Sequence, residues 1–213
     1  MGNDGDVDEL GTSSVGDKAA LRAQIRIGRR SRTPANRETA GTAIAANVRG
    51  LPLPGHLGGM TVTCYLSLET EPGTGPLIED LLARGASVLV PRVAGQHLDW
   101  LPFAADQPVS RGPFGIPEPA GIPVGRGSAP LDGCTALFLP ALAIDDRGYR
   151  LGQGGGFYDR TLADVATHDR GGPIRVAIVF EEEILPRVPI DDHDCRVDLA
   201  LTEIGVQHFT GAP

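Results

Sequence analysis

The sequence contains a single lysine and only three cysteines, and these shortages already narrow the class of protein. Because the lysine is Lys18, every other residue with a permanent positive charge is an arginine. Cys64, Cys134 and Cys195 are odd in number and far apart, which argues against a disulfide framework and for a reducing cytoplasm. The absence of a C-x-x-C pair argues against a structural zinc site.

The sequence also lacks any apolar run of the roughly twenty residues that a membrane-spanning helix needs. Its acidic start, MGNDGDVDELGTSSVGDK, lacks the basic and apolar regions of a secretory signal. We therefore expect residues 1–16 to form a disordered acidic tail and residues 17–213 to form one domain. The net charge of −8 gives no general attraction to nucleic acid. These absences predict a cytoplasmic protein with small-molecule ligands and with no nucleic acid or membrane partner. We expect a monomer, although the sequence does not reveal the oligomeric state.

Positive charge is concentrated near the N-terminus, where the stretch from Lys18 to Arg37 contains no acidic residue. A helix that begins near position 17 would carry one cationic side, formed by residues that recur every four positions, namely Lys18, Arg22, Arg26 and Arg30. A second helix is predicted from Thr33, its N-terminal cap, and Pro34 to Gly50. An anionic ligand of this acidic protein would be held by local positive charge of this kind.

The rest of the chain alternates strand and helix patterns. Short β-branched or apolar runs predict strands at Met60–Leu68, Ala86–Val93, His97–Phe103, Cys134–Ile144, Ile174–Phe180 and Val197–Glu203. Helices are predicted over Gly75–Gly85 and Phe157–His168, and the Pro- and Gly-rich segment 108–127 is expected to be an irregular loop. This order indicates an α/β fold, a Rossmann-like three-layer sandwich around a mostly parallel sheet, in which ligands bind beyond the carboxyl ends of the strands.

A glycine-rich segment, GYRLGQGGGFYDR, occupies Gly148–Arg160. It contains no lysine and is therefore not a P-loop, and Phe157 at the position of the third glycine rules out a dinucleotide fingerprint. Glycines nevertheless let a backbone approach an anion and direct N–H groups at it, and Arg150 and Arg160 add positive charge. Asp159 could hold a Mg²⁺ ion that bridges phosphate oxygens. The segment predicts a polyphosphate site, and the alternative is a glycine-rich turn with ordinary surface charges.

The segment PALAIDDRGYRLGQGGGFYDR, Pro140–Arg160, resembles the signature of the 5-formyltetrahydrofolate cyclo-ligase family, also called methenyltetrahydrofolate synthetases. That family has an R-L-G-x-G-x-G-Y-Y-D-R pattern after P-x-L-A-F-D. Further similar segments stand in the expected order, namely KAALR, YLSLETEPGT, PRV, GPFGIPEP and HDCRVD, so that the resemblance extends from Lys18 to Glu203. It implies a Mg²⁺- and ATP-dependent conversion of 5-formyltetrahydrofolate into 5,10-methenyltetrahydrofolate, ADP and phosphate.

The resemblance also implies roles for individual residues. Lys18 and Arg150 would be the catalytic cations. ATP would contact both of them together with Arg22, Leu151, Gly152, Gln153, Gly154, Gly155, Gly156, Phe157 and Tyr158. The reduced folate would contact Leu66, Glu71, Gln153, Gly154, Gly155, Gly156 and Phe157. The magnesium ligands would be Asp159 and Asp194.

Some residues depart from the family pattern or keep a second interpretation. Gln153 stands where a basic or aromatic residue is common, and Phe157 replaces the commoner tyrosine. Arg26 and Arg30 lack support from the family and are interpreted as surface residues. Trp100 fits core packing better than a contact with the pterin. Glu118 is a weak candidate in the expected wall of the folate site.

Two alternative functions and one alternative metal site remain open from the sequence. The first is a non-catalytic folate- or nucleotide-binding descendant, although such a protein would be expected to lose Lys18, Asp159 or Asp194. The second is an unrelated α/β sugar-phosphate isomerase or acyl-transfer enzyme, which would turn over without ATP. The third is a transition-metal cluster around Asp191–Cys195, which is disfavoured because consecutive residues rarely converge on one ion.

Overall fold

The structure, a computed structural model, describes residues 9–209. Its four α-helices are α1 (Glu9–Ser31), α2 (Pro34–Asn47), α3 (Gly75–Ala83) and α4 (Phe157–Leu162). Helix α1 begins eight positions before the predicted start near residue 17, so residues 9–16 are helical where the sequence predicted a disordered tail. The remainder of that predicted tail, residues 1–8, lies outside the described residues. None of the helices in the described range has the length and hydrophobicity of a membrane span.

The start of α2 confirms its predicted capping. Thr33 has an extended backbone, and its side chain accepts a hydrogen bond from the amide of Asn36. Pro34 occupies the first turn of the helix, where no intrahelical partner for its missing N–H would exist. A short 3₁₀ turn over Val48–Gly50 ends the segment where the sequence placed its end.

The described residues contain thirteen strands, numbered here in chain order, and eight of them form the central sheet. In chain order they are β1 (Thr61–Thr63), β2 (Ser87–Ala94), β3 (His97–Pro102), β6 (Gly125–Arg126), β7 (Cys134–Pro140), β10 (Ile174–Ile178), β12 (Leu199–Leu201) and β13 (Val206–His208). Their spatial order is β13-β12-β10-β7-β1-β2-β3-β6. The five adjacent strands β12, β10, β7, β1 and β2 are parallel to one another, whereas β13, β3 and β6 pair antiparallel at the two edges. The predicted mostly parallel sheet is therefore confirmed.

Both faces of this sheet are covered, as the near-continuous apolar sequence of β7 requires. Ala136 and Phe138 point to one face and pack in a cluster with Ile44 of α2 and Leu77 of α3. The alternate residues of β7, such as Leu137, belong to a second cluster on the opposite face that includes Leu162 and Val165 around the end of α4. Two helical layers thus enclose the sheet and confirm the three-layer arrangement.

Five strands lie outside the central sheet and correct the predicted strand boundaries. They are β4 (Val109–Arg111), β5 (Pro117–Pro119), β8 (Ala143–Asp145), β9 (Arg150–Leu151) and β11 (Ile184–Leu185). Strands β4 and β5 pair inside the segment predicted as an irregular loop, and β6 also lies there. The single strand predicted over 134–144 is divided, because the chain leaves the central sheet at Pro140 and re-enters a separate sheet of order β11-β8-β9.

Other boundaries were predicted too long. The strand predicted over 60–68 pairs only to Thr63, after which the chain turns toward a cavity. The helix predicted over 157–168 ends at Leu162. The strand ending at Glu203 is followed by β13, which a short antiparallel return adds to the sheet edge. For the two strands, the pairing partner, rather than the local pattern of hydrophobic residues, sets the end of the element.

Candidate functional site

A cavity of about 310 Å³ lies at the carboxyl ends of the central parallel strands. Pro140 at the end of β7, Tyr65 just after β1 and Val93 near the end of β2 contribute to its wall. The structure brings to this one cavity every residue to which the resemblance assigned ATP, folate or magnesium, namely Lys18, Arg22, Leu66, Glu71, Arg150, Leu151, Gly152, Gln153, Gly154, Gly155, Gly156, Phe157, Tyr158, Asp159 and Asp194. Arg160 does not line it and instead donates hydrogen bonds to Gly155 O and Gln96 O. Segments that are distant in sequence thus converge where the fold class predicts a ligand.

Lys18 is buried between two carboxylates. Its Nζ lies 2.6 Å from Asp191 Oδ2 and 2.5 Å from Asp194 Oδ2. Asp194 Oδ2 also accepts a hydrogen bond from the amide of Asp191 at 2.8 Å. These contacts attach the first half of α1 to the segment before β12 and hold the only ammonium group of the chain at the cavity wall.

The next turns of α1 bind the glycine loop, defined here as Gly152–Gly156. Arg22 Nε donates to Gly152 O at 2.9 Å. Arg26 Nη2 donates to Gln153 O at 3.0 Å and to Gln153 Oε1 at 2.9 Å. Arg26 therefore does more than the surface role that the sequence suggested, whereas Arg30 is exposed. The four-residue spacing of these cations lines them up along the loop.

The backbone of the glycine loop is open toward solvent and the cavity. Gly154 and Gly156 have φ angles of +105° and +66°, a region that residues with a Cβ rarely adopt. None of the amides from residue 152 to residue 156 donates a hydrogen bond to another residue of the described chain. Successive unpaired N–H groups of this kind are available to an anionic ligand.

Arg150 and Asp159 form a salt bridge beside this loop. Arg150 Nη2 lies 2.7 Å from Asp159 Oδ1, and the guanidinium carbon is 5.7 Å from the centre of the Tyr158 ring. Arg150 Nε is buried without a hydrogen-bond partner in the described part of the chain. The amide of Cys195 donates to Asp159 Oδ1 at 3.4 Å. A buried guanidinium is thereby fixed at the base of the cavity by a carboxylate.

Another part of the cavity wall combines one acid with apolar and aromatic side chains. Glu71 Oε2 accepts from the amide of Leu68 at 2.9 Å, and Glu71 Oε1 accepts from Gln153 Nε2 at 3.2 Å. Burial raises the pKa of the Tyr65 and Tyr158 hydroxyls, so both remain neutral hydrogen-bond donors at ordinary pH. This part is suited to a flat organic ligand with N–H groups on its edge.

Two further candidates belong to the surroundings of the cavity rather than to its lining. Trp100 is buried in the core, donates its indole N–H to Gly127 O at 2.9 Å and packs edge-on against Tyr158. Glu118 accepts a hydrogen bond from the amide of Val93 at 3.0 Å. Both side chains pack behind residues that line the cavity. Ile116 and Pro117, which precede Glu118, belong to the lining.

Two carboxylates and one histidine at the cavity lie close enough together to bind a metal ion. Within the described residues, the ligand atoms of Asp191, His193 and Asp194 lie within 4.8 Å of one another. Cys195 Sγ instead contacts the carbonyls of Asp159 and His193, and burial raises the pKa of its thiol. The three nearly consecutive residues Asp191, His193 and Asp194 therefore do converge, contrary to the expectation from the sequence, whereas Cys195 does not join them. Their two carboxylates are hard oxygen ligands of the kind that Mg²⁺ prefers.

The sequence analysis missed Tyr65 and Arg29 and considered Asp191 only as part of the disfavoured transition-metal cluster. Tyr65 and Asp191 line the cavity, and Tyr65 is the first residue of the YLSLETEPGT segment already singled out. Arg29 is buried on α1 and lies 4.0 Å from Glu71. Nothing in the spacing of the seven N-terminal cations separates this buried arginine from its exposed neighbours, because the partner acids come from distant segments.

The fold and the cavity define an α/β protein whose ligand site lies at the carboxyl ends of parallel strands and is bordered by α1 and a glycine loop. Comparison with known proteins specifies the class further. The model of the 5-formyltetrahydrofolate cyclo-ligase family matches residues 14–203. The 5-formyltetrahydrofolate cyclo-ligase of Mycolicibacterium smegmatis is 32% identical over 191 residues, which cover 87% of this chain and 93% of the relative. The Escherichia coli protein of the same name is 31% identical over 181 residues, covering 84% and 96%.

Solved structures agree at the level of the fold. The NMR structure of 5,10-methenyltetrahydrofolate synthetase from Aquifex aeolicus aligns with a TM-score of 0.70 at 24% identity, covering 92% of this chain and 94% of the other. The 5,10-methenyltetrahydrofolate synthetase from Mycoplasma pneumoniae aligns with a TM-score of 0.65 at 18% identity, covering 88% and 99%. The chain belongs to the 5-formyltetrahydrofolate cyclo-ligase family and is an enzyme.

Proposed function

We propose that this enzyme uses Mg²⁺ and ATP to convert 5-formyltetrahydrofolate into 5,10-methenyltetrahydrofolate, with release of ADP and phosphate. The observation that carries this proposal is that one cavity combines two unlike sets of groups. The first set is Lys18, Arg150 and the unpaired loop amides, and the second is Glu71 among aromatic and aliphatic side chains. A triphosphate and a reduced pterin are the two substrates that this combination suits.

The nucleotide belongs to the first, cationic set of groups. The amides of the glycine loop have no acceptor in the described chain, so they can donate to phosphate oxygens without breaking an existing hydrogen bond. Arg22 holds the loop through the carbonyl of Gly152 and remains close to its backbone. Lys18 and Arg150 supply charge at the wall, and we assign them the stabilisation of the transferred phosphoryl group.

The reduced folate belongs to the second set of groups. The acceptor-only carboxylate of Glu71 suits the amino and ring N–H groups on the edge of a pterin. Leu66 and Phe157 provide apolar surface for the ring system. Because Gln153 donates to Glu71 and also belongs to the glycine loop, the two substrates would lie side by side.

The chemistry needs alignment rather than a protein nucleophile. A bond forms between the γ-phosphorus of ATP and the formyl oxygen while the bond to the bridging oxygen of ADP breaks. The neighbouring folate nitrogen, N10, then attacks the formyl carbon and loses its proton, and the carbon–oxygen bond breaks with release of phosphate. Lys18, Arg150 and the loop amides would neutralise the charge that develops on the phosphoryl oxygens.

Asp159 and Asp194 fit a magnesium ion. Asp159 Oδ2 and Asp194 Oδ1 accept no hydrogen bond from the rest of residues 9–209, so each carboxylate keeps an oxygen for a hard cation. Mg²⁺ commonly takes one or two carboxylates and completes its shell with waters and substrate phosphates. When bound, it would supply positive charge to the phosphate oxygens of ATP.

The direct test is turnover. Purified protein is mixed with 5-formyltetrahydrofolate and Mg-ATP, and the absorbance of methenyltetrahydrofolate is followed together with ADP. We expect one ADP for each methenyltetrahydrofolate, and loss of turnover without ATP or after chelation of Mg²⁺. Folded protein that forms no product, beside an active family member, would reject the activity. Product formed without ATP would reject the phosphorylation step.

The cellular setting is part of the same proposal. The three cysteines within the described chain are free thiols, as a reducing cytoplasm favours. We propose a cytoplasmic monomer, since both halves of the cavity come from this one chain. Size-exclusion chromatography with light scattering tests the monomer, and a stable dimer would contradict it.

A further inference from the structure

Arg29 is a buried cation whose hydrogen bonds occupy only two of its three nitrogen atoms. Its side chain is 2% exposed and lies near the end of α1. Arg29 Nε and Nη2 bind the two oxygens of Glu183 at 2.6 Å and 2.8 Å, and Nη2 also donates to Ala141 O at 2.7 Å. This two-point geometry fixes the plane of the guanidinium group.

The third nitrogen lies near Glu71, in the set of groups assigned to the folate. Arg29 Nη1 is buried and has no hydrogen-bond partner among residues 9–209. The carboxylate oxygen Glu71 Oε1 lies 4.0 Å from it, just beyond hydrogen-bond distance. A shift of Glu71 by about 1 Å would complete this bond at normal length.

Glu71 needs a positive partner, because its side chain is only 6% exposed. Its two hydrogen bonds come from neutral donors, the Leu68 amide and the Gln153 side chain. Among the described residues, Arg29 is the only cation within 4.0 Å of Glu71. A buried carboxylate without a compensating charge is costly, so the guanidinium supplies what these neutral donors do not.

The charge of Arg29 is itself secure. Burial opposes the charge, but the hydrogen bonds and negative charges of Glu183 and Glu71 outweigh it and raise the pKa of the Arg29 guanidinium above its ordinary value. Phe180 covers the group, with its ring centre 5.8 Å from the guanidinium carbon. Arg29 therefore acts as a fixed positive charge behind the cavity wall.

We propose that Arg29 is a positioning residue for the reduced folate, which holds the Glu71 carboxylate toward the N–H edge of the pterin and closes its third hydrogen bond to Glu71 when the ligand binds. This inference rests on the proposed function. It gives the folate part of the site a support that is independent of the cations assigned to the phosphates.

The test removes the Arg29 charge without leaving the Glu183 carboxylate unpaired, so that Glu71 alone loses its cation. The double variant Arg29→Gln/Glu183→Gln replaces the ion pair with two neutral amides of similar size. Calorimetric titration with 5-formyltetrahydrofolate is expected to show a Kd about tenfold above that of the wild type. The KM for ATP, measured at saturating folate, should stay within about twofold, since no Arg29 contact reaches the glycine loop.

A matched control and a second variant separate positioning from a general loss of structure. Arg32→Gln also removes a cation that packs on Phe180, at 3.7 Å, just after the end of α1, but Arg32 pairs with Glu182 and Glu203. It should leave the folate Kd within about twofold of wild type. Arg29→Lys keeps the charge and loses the planar fork, so a smaller rise of about threefold is expected even if the double variant is unstable.

Coupling to Glu71 provides the sharpest outcome. In a Glu71→Gln background, the Arg29→Gln/Glu183→Gln changes should add no more than about a twofold effect on the folate Kd. An unchanged Kd in the double and Arg29→Lys variants would overturn the inference, as would an equal rise in the KM for ATP. Wild-type protein that binds no reduced folate would overturn the proposed function and this inference together, whereas wild-type binding with unaffected variants would overturn the inference alone.

Discussion

Replacing Gly154 with alanine tests whether nucleotide binding depends on the backbone conformation of the glycine loop. Gly154 has a φ angle of +105°, outside the range that residues with a Cβ readily adopt. The added Cβ would lie 3.6 Å from the guanidinium carbon of Arg22, which is an ordinary van der Waals contact. The cost of the substitution is therefore conformational rather than a clash.

The size of the effect follows from this conformational cost. A side chain in left-handed backbone costs roughly 1–2 kcal/mol. If ATP binds the loop in its present conformation, that energy is lost from nucleotide binding, so kcat/KM for ATP should fall roughly 5–30-fold. If the free variant instead keeps the strained conformation, the same energy is lost from folding rather than from binding, and the melting temperature should fall by roughly 2–8 °C.

Gly171→Ala is the matched control. Gly171 has a φ angle of +85°, no atom within 4 Å of the added Cβ, and an exposed position outside the cavity. Steady-state kinetics should show no change in kcat/KM for ATP, although the backbone cost is similar. If Gly154→Ala lowers neither the melting temperature nor kcat/KM for ATP, the loop has relaxed without loss of function and does not hold the nucleotide through its backbone.

Three further predictions address the cations, the metal and the pH dependence. Lys18→Ala should raise the KM for ATP by about tenfold or more. Arg30→Ala, which removes an exposed cation of the same helix, should leave this KM unchanged. Equal effects of the two substitutions would mean that Lys18 contributes only general positive charge. Asp159→Asn should raise the Mg-ATP requirement more than the folate Kd, and equal losses in both titrations would contradict the metal assignment. Burial raises the pKa of the Cys64 thiol from 9.0 to about 12, so its stabilising contribution is complete below pH 9.0 and is lost as the pH rises toward 12. The melting temperature of Cys64→Ala should therefore fall less steeply than that of the wild type as the pH rises from 9.0 toward 12. An identical slope in the two proteins would contradict a raised pKa of Cys64.

The parts of the site that the sequence predicted are those encoded within single segments. The four-residue spacing of Lys18 and Arg22 depends only on helix geometry, and both line the cavity as expected. The glycine loop is likewise a local pattern, since only glycine tolerates the φ angles found at Gly154 and Gly156. The resemblance to a family then joined these segments to Glu71 and Asp194, which no local pattern connects.

The parts that could not be predicted depend on contacts between distant segments. The break of the strand after Pro140 reflects a change of partner sheet, which the apolar sequence on either side does not encode. Arg29 resembles its exposed neighbours in sequence and is buried because Glu183 and Ala141 reach it from other elements. The short pairs β4–β5 and β3–β6 form where Pro and Gly suggest a loop, because tertiary packing outweighs weak strand propensity.

The most direct measurement is a structure with a non-hydrolysable ATP analogue and 5-formyltetrahydrofolate bound together. The amides of residues 152–156 should lie within about 3.2 Å of triphosphate oxygens, and the γ-phosphorus should face the formyl oxygen at about 3–3.5 Å. A nucleotide bound outside this cavity, or loop amides directed away from its phosphates, would contradict the assignment of the site.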